Sequence, residues 1–193
     1  MADNISTTQQ GVRRAGEMSE KKRKETMDGI MAQIQQAPDN IAEVERAIQK
    51  YFGDDRPFMA ALLGNVHVES GGSYTFDKKQ DDGGPGRGIF QFDFHKPYYQ
   101  TYLKGTGLED SVDTQVRYVR DVLYRDKETA KILGANVVGA TKAKKIRGLL
   151  KSTSDPYELS GIFLDEFLRP SKPHREKRML ATKAFVFKHV PAK

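Results

Sequence analysis

The stretch that most constrains this chain runs from Pro57 to Gly72, a strongly apolar segment that ends on a glutamate and two glycines. Asp55 stands where it can cap a helix, proline is tolerated in a first turn, and Gly71 with Gly72 supply a stop, so the spacing predicts a helix over Pro57–Ser70. Phe58, Leu62, Val66 and Glu69 recur at the three-and-four spacing of one helix face, which puts the carboxylate on the stripe that packs inward. Partial desolvation and the negative end of the helix dipole both raise the pKa of an acid in that position. A carboxyl so raised donates a proton near neutral pH, and Glu69 is therefore the candidate catalytic acid.

The other segments must build a fold around that helix. A chain of 193 residues suits one domain, or one domain with an appendage, and buries a sizeable core. It has no cysteine, which removes disulfides, thiolate metal sites and a cysteine nucleophile. Lysine and arginine exceed the acids by 32 to 26, a balance that favours polyanionic partners such as nucleic acid, anionic membrane or acidic bacterial wall. No apolar run approaches a membrane span, and the amino terminus lacks the apolar core of a secretory signal.

Residues 1–37 are polar and read as an arm. Its second half has helical spacing at Met27, Ile30, Met31 and Ile34, an amphipathic stripe of the kind that more commonly packs on its own domain and that, on a polar arm, also offers a partner surface. The catalytic domain is then expected over 38–193. Pro38 closes the arm, and Asn40 with Glu43 has capping-box spacing before Ile41, Val44, Ala47, Ile48 and Tyr51. Beyond Gly72 the segment Lys78–Gly88 is too rich in glycine for regular structure, and it lacks the Gly-Lys-Ser/Thr ending of a phosphate loop. Ile89–Phe94 alternates as a short strand would, with Gln91 and Asp93 on one face. Helices follow at Pro97–Lys104, from Ser111 with Val112, Val116, Val119 and Leu123 inward and Gln115 beside them, at 127–133, at 142–151, from Asp155-Pro156, and from Pro173 toward Val190. The fold class is mostly α, with a short strand and loop region beside a cleft.

The combination Gly-Asn-x-x-x-Glu-Ser-Gly at Gly64–Gly71, Gly-Ile-Phe-Gln-Phe-Asp at Gly88–Asp93, and a helix carrying Gln115 resembles the lysozyme superfamily, in particular goose-type lysozymes, lytic transglycosylases and phage tail lysozymes. The run Phe163–Ala181, with Phe167, Arg169-Pro170, Pro173, Arg175 and Arg178, is similar to the close of phage tail lysozymes. The resemblance covers roughly Pro57–Ala184 and omits the arm. It implies an α+β lysozyme-like fold and a peptidoglycan-degrading glycosidase that cleaves between N-acetylmuramic acid and N-acetylglucosamine.

Glycoside cleavage needs an acid for the leaving oxygen and a second group that answers the oxocarbenium-like transition state or holds a water. By the resemblance, Glu69 is the acid, and Asp93 and Asp82 are the candidates for the second role. A water held by one of them gives an inverting hydrolase; attack by the sugar's own hydroxyl gives the anhydro product of a lytic transglycosylase. Gln91 binds a substrate amide or orients Glu69, Ser70 and Gln115 are further substrate-side candidates, and Tyr98 is the aromatic expected to stack on a sugar. The histidines have no metal-ligand spacing, so neither metal nor cofactor is expected.

The expected setting is a phage virion, tail or interior, with the arm docked on another virion protein; a free endolysin shares the same catalytic pattern. Two non-enzymatic classes compete, a nucleic-acid-binding protein and a structural virion component. The first lacks a reading motif, and the second does not need Glu69 together with Gln91-x-Asp93.

Overall fold

The computed structural model describes residues 18–81, 83–93, 95–134, 138–170 and 172–189. Among them are nine α-helices: α1 Glu20–Gln36, α2 Pro38–Phe52, α3 Arg56–Glu69, α4 Lys96–Thr106, α5 Val112–Tyr124, α6 Lys127–Leu133, α7 Ala140–Lys151, α8 Pro156–Ile162 and α9 Arg175–His189. A π-helical turn, Phe163–Leu168, prolongs α8. The expected mostly-α, lysozyme-like class holds.

Helix α3 is the axis of the molecule. Its Phe58–His67 stretch is buried without interruption, so the single inward stripe read from the sequence is too narrow: α2, α8 and α9 enclose it on several sides. Asp55 caps it as expected, accepting from Phe58 N at 3.0 Å, and Gly71 and Gly72 stop it at φ 62° and 84°. Its widest partner is α9. The two helices touch at Gly64, where an added Cβ would lie 2.3 Å from Thr182 Oγ1 and 2.7 Å from Thr182 N. That close crossing brings Arg178, one turn before Thr182, up against the end of α3.

Several local expectations are corrected. The Asn40–Glu43 capping box does not form: Pro38 opens α2, and Asn40 inside it donates to Ser73 O at 2.9 Å. Gly105 lies within α4, and Gly107, at φ 67°, ends that helix. The strand over Ile89–Phe94 is absent among the described residues. Gly88–Gln91 form a turn instead, and the segment's strand-like pairing is one antiparallel bridge, Lys79–Arg87. Ile89, Phe90 and Phe92 are all buried, a pattern that alternation did not anticipate. The last helix begins at Arg175, after Pro173, and Val190 lies outside the described residues.

In the arm, the amphipathic stripe takes the commoner of its two readings. Residues 1–17 lie outside the described residues, but α1 is docked on α9. Ile30 is buried with Ala181 and Ala184, and Met27, Ile34, Val68 and Leu180 pack around them. Three residues of the stripe therefore face their own domain, and Met31 is the one left exposed. Ser19 caps α1, Arg23 pairs with Glu176 of α9, and Gln33 donates to Gly71 O at 3.4 Å, so α1 braces the turn behind Glu69.

Candidate active site

Glu69 is the last residue of α3, and its side chain is 11% exposed. Oε1 accepts from Arg178 Nη2 at 2.7 Å. Burial raises the Glu69 pKa, and the arginine opposes that rise without cancelling it. Arg178 is itself 2% exposed. Its Nε donates to Pro173 O at 2.7 Å and its Nη1 to Asn65 Oδ1 at 3.1 Å; Asn65 in turn donates to Ser160 Oγ at 2.9 Å. Burial pulls the guanidinium pKa down, and Glu69 holds it up. A network from α3, α8 and α9 thus fixes the Glu69 carboxyl at one oxygen.

Sequence reasoning gave Arg178 no site role. The signal was present: Arg178, Ala181, Thr182 and Phe185 share one face of α9, and an arginine on an inward stripe needs a buried acceptor.

Glu69 opens into a cleft of about 360 Å³. One wall is the glycine-rich loop and the following turn, which contribute Lys78, Gln80, Asp81, Gln91 and Asp93; the other is the segment from Leu168 through Arg178. Asp93 is exposed on the first wall. Gln91 has φ 47°, and its Nε2 donates to Gly88 O at 2.9 Å and Lys78 O at 3.2 Å, tying the turn to the loop. Asp82 lies outside the described residues; its neighbour Asp81 lines the cleft and pairs with Lys78.

Ser70, Gln115 and Tyr98 are not on the cleft lining. Ser70 is fully buried and its Oγ accepts from Tyr74 N at 3.2 Å, so it serves the turn after α3. Gln115, 1% exposed, accepts from Ile89 N at 2.9 Å and donates to Phe76 O at 2.8 Å. Its amide presses on Gly88, where a Cβ would meet it at 2.2 Å. Gln115 therefore occupies the place of a strand partner and props the turn that carries Gln91. Tyr98 is half-buried against the core.

Elsewhere, a polar hollow of about 400 Å³ lies among α2, α4, α5 and α6, but its Lys50 is paired with Asp113 and its Arg120 with Asp121. Among the described residues no three His, Asp or Glu side chains gather as a metal site, and no helix is long and apolar enough to cross a membrane.

An acid enclosed at the end of a central helix, with a second carboxylate on the lining of the same cleft, provides the two kinds of group that glycoside cleavage uses. The model of one protein family, phage tail lysozyme, matches residues 39–187. The chain belongs to the phage tail lysozyme family. No curated protein and no solved structure matches it. Membership in the phage tail lysozymes implies a lysozyme-type hydrolase that degrades peptidoglycan in a phage context. The matched span starts inside α2, so α1 lies beyond the family's pattern although it packs on α9.

Proposed function

We propose that this phage tail lysozyme hydrolyses the β-1,4 bond between N-acetylmuramic acid and N-acetylglucosamine, with Glu69 as proton donor. The observation that carries the proposal is the Glu69 carboxyl, enclosed at the cleft and raised in pKa by burial even with Arg178 at 2.7 Å. In the protonated acid Arg178 still has a lone pair to bond at Oε1, so the proton resides on the other oxygen, the one available to a leaving glycosidic oxygen. Asp93, on the lining of the same cleft, answers the positive charge that develops on the sugar ring or holds the attacking water. Water held there yields a free reducing end; attack by the substrate's own hydroxyl yields an anhydro end and makes the enzyme a lytic transglycosylase.

The test is mass spectrometry of digested sacculi. New reducing or anhydro muramyl ends support glycan cleavage and separate its two forms, and products of amide cleavage alone would overturn it. Action from the virion is proposed from the family. Because the α1 stripe is engaged on α9, an anchor to another virion protein falls to residues 1–17 and the outer face of α1 around Met31. Deleting residues 2–17 and quantifying the protein in purified particles tests it: unchanged incorporation would remove the anchor from those residues.

A further inference from the structure

The cleft is electrically lopsided. Five of its described lining residues are lysine or arginine, and three are carboxylates. Two of those carboxylates are already engaged, Glu69 with Arg178 and Asp81 with Lys78. The cations concentrate on one wall, where Arg169, Lys172 and Lys177 lie beside the buried Arg178.

The acids of that wall are committed elsewhere. Asp165 pairs with Arg175, Glu166 with Lys145 and Glu176 with Arg23, none of which lines the cleft. Among the described residues no ion pair engages Lys172 or Lys177, and their field is felt by His174, whose pKa falls through burial and the neighbouring Arg178, Lys177 and Lys172. Nothing in the packing of this wall calls for cations: Lys172 is exposed and Lys177 half-buried.

The one acidic group of the glycan itself, the lactyl carboxyl of N-acetylmuramic acid, is consumed in the amide bond to the stem peptide, so a stem-bearing strand offers such a wall no charge of its own sugars. The charge of peptidoglycan resides in the peptides attached to every second sugar, which carry free carboxylates. We infer that Lys172 and Lys177 bind the free carboxylates of peptidoglycan stem peptides, so that the cleft selects strands bearing acidic stems over strands whose stems are amidated. This rests on reading the cleft as the glycan site. Two screened ion pairs at a partly exposed wall correspond to roughly a threefold to tenfold preference, expressed in binding. Because the stems occur on alternate sugars, the same contacts favour one of the two registers in which a strand can lie against Glu69.

The experiment titrates wild-type protein, at fixed ionic strength, with three disaccharides: one carrying an acidic stem peptide, one with the stem carboxylates amidated, and one with no stem and its lactyl carboxyl capped as the amide. These ligands are cleavage-product-sized, so affinity is read without turnover. The acidic ligand is expected to bind roughly threefold to tenfold more tightly than the other two, and Lys172→Gln/Lys177→Gln to bind all three within about twofold. Equal affinities for wild type, or wild-type discrimination in the double variant, would overturn the inference. On soluble strands, the double variant should raise KM and spare kcat. Sacculus digestion tests the proposed reaction separately: a protein that cleaves glycan but does not discriminate defeats the wall alone, and one that discriminates but never cleaves defeats the reaction alone.

Discussion

Arg178 Nη2 and Glu69 Oε1 lie 2.7 Å apart, on helices that touch at Gly64 and Thr182, and both side chains are almost withdrawn from solvent. The candidate acid is therefore half of a buried ion pair. That alters what substitution at either residue will do.

Glu69→Gln is expected to reduce turnover by roughly 10²–10⁴-fold, because an amide cannot supply the proton. It also leaves a buried guanidinium without its counter-charge, at a cost of about 1–3 kcal/mol that the remaining amide acceptor only partly offsets. Turnover and urea unfolding should be measured on the same preparation. Undiminished activity would refute the assignment.

Arg178→Met removes the influence that restrains Glu69, so burial alone acts and the carboxyl pKa rises further. A general acid works while protonated, and the alkaline limb of the pH–rate profile should shift upward. The expected loss of stability at neutral pH is about 3 kcal/mol. A variant that folds and retains the wild-type limb would show that Arg178 does not tune Glu69.

Asp93→Asn and Gln115→Ala should separate chemistry from architecture. Asp93 is exposed on the cleft, so its amide should lower turnover with unfolding unchanged. Gln115→Ala strips the partner from Ile89 N and empties the space against Gly88, and is expected to destabilise by about 1–3 kcal/mol. Of the two, Asp93→Asn should harm turnover more at temperatures where both variants are folded.

Acid sensitivity is expected from two buried histidines. Burial, with Lys177 nearby, lowers His67 to about 4; burial, with Lys142 and Arg169 nearby, lowers His95 to about 4. His67 Nδ1 meets Tyr74 Oη at 2.7 Å and its buried Nε2 has no partner among the described residues, so a protonated ring would have nothing to donate to on that side. The unfolded chain takes up these protons near the ordinary value of 6.5, the folded chain only near 4. Their contribution is thus complete above 6.5, declines as pH falls toward 4, and levels off below it, on the order of 3 kcal/mol for each ring. Glu69, raised by burial, acts in the opposite sense. Urea unfolding across this range checks it, and a flat profile would contradict it.

Gly64→Ala forces a Cβ onto Thr182 backbone and should destabilise by about 1–3 kcal/mol while prising Arg178 from Glu69. Gly148→Ala, at an exposed position of α7 with nothing within 4 Å, should instead stabilise by about 0.5–1 kcal/mol. Equal effects would mean that the α3–α9 crossing is not tight.

What was legible in the sequence was local. Asp55, Ser111 and Asp155 cap the helices assigned to them because a cap depends on three or four neighbouring residues. Asn40 misled because Pro38 starts the helix first and a distant carbonyl, Ser73 O, takes the side chain. The strand over Ile89–Phe94 failed for a related reason: Ile89 N is taken by Gln115 of α5 and the Gln91 and Phe92 amides by the turn carbonyls of Gly88 and Arg87, and no period within the segment records that. Glu69, Gln91 and Asp93 were read from motif spacing and share a cleft; Arg178 enters it only through the tertiary crossing at Gly64.

The docking of α1 bears on how this enzyme is transplanted. A fragment trimmed to the family's matched span would bare the strip of α9 at Ala181 and Ala184, together with Val68 beside Glu69, that Ile30 and its neighbours now cover. Such a fragment would present a sticky apolar seam next to its candidate active site, prone to self-association and to adsorbing on whatever a chimeric lysin fused it to. The shortest transferable unit consequently begins at the cap of α1, Ser19, twenty residues ahead of the point where family likeness begins.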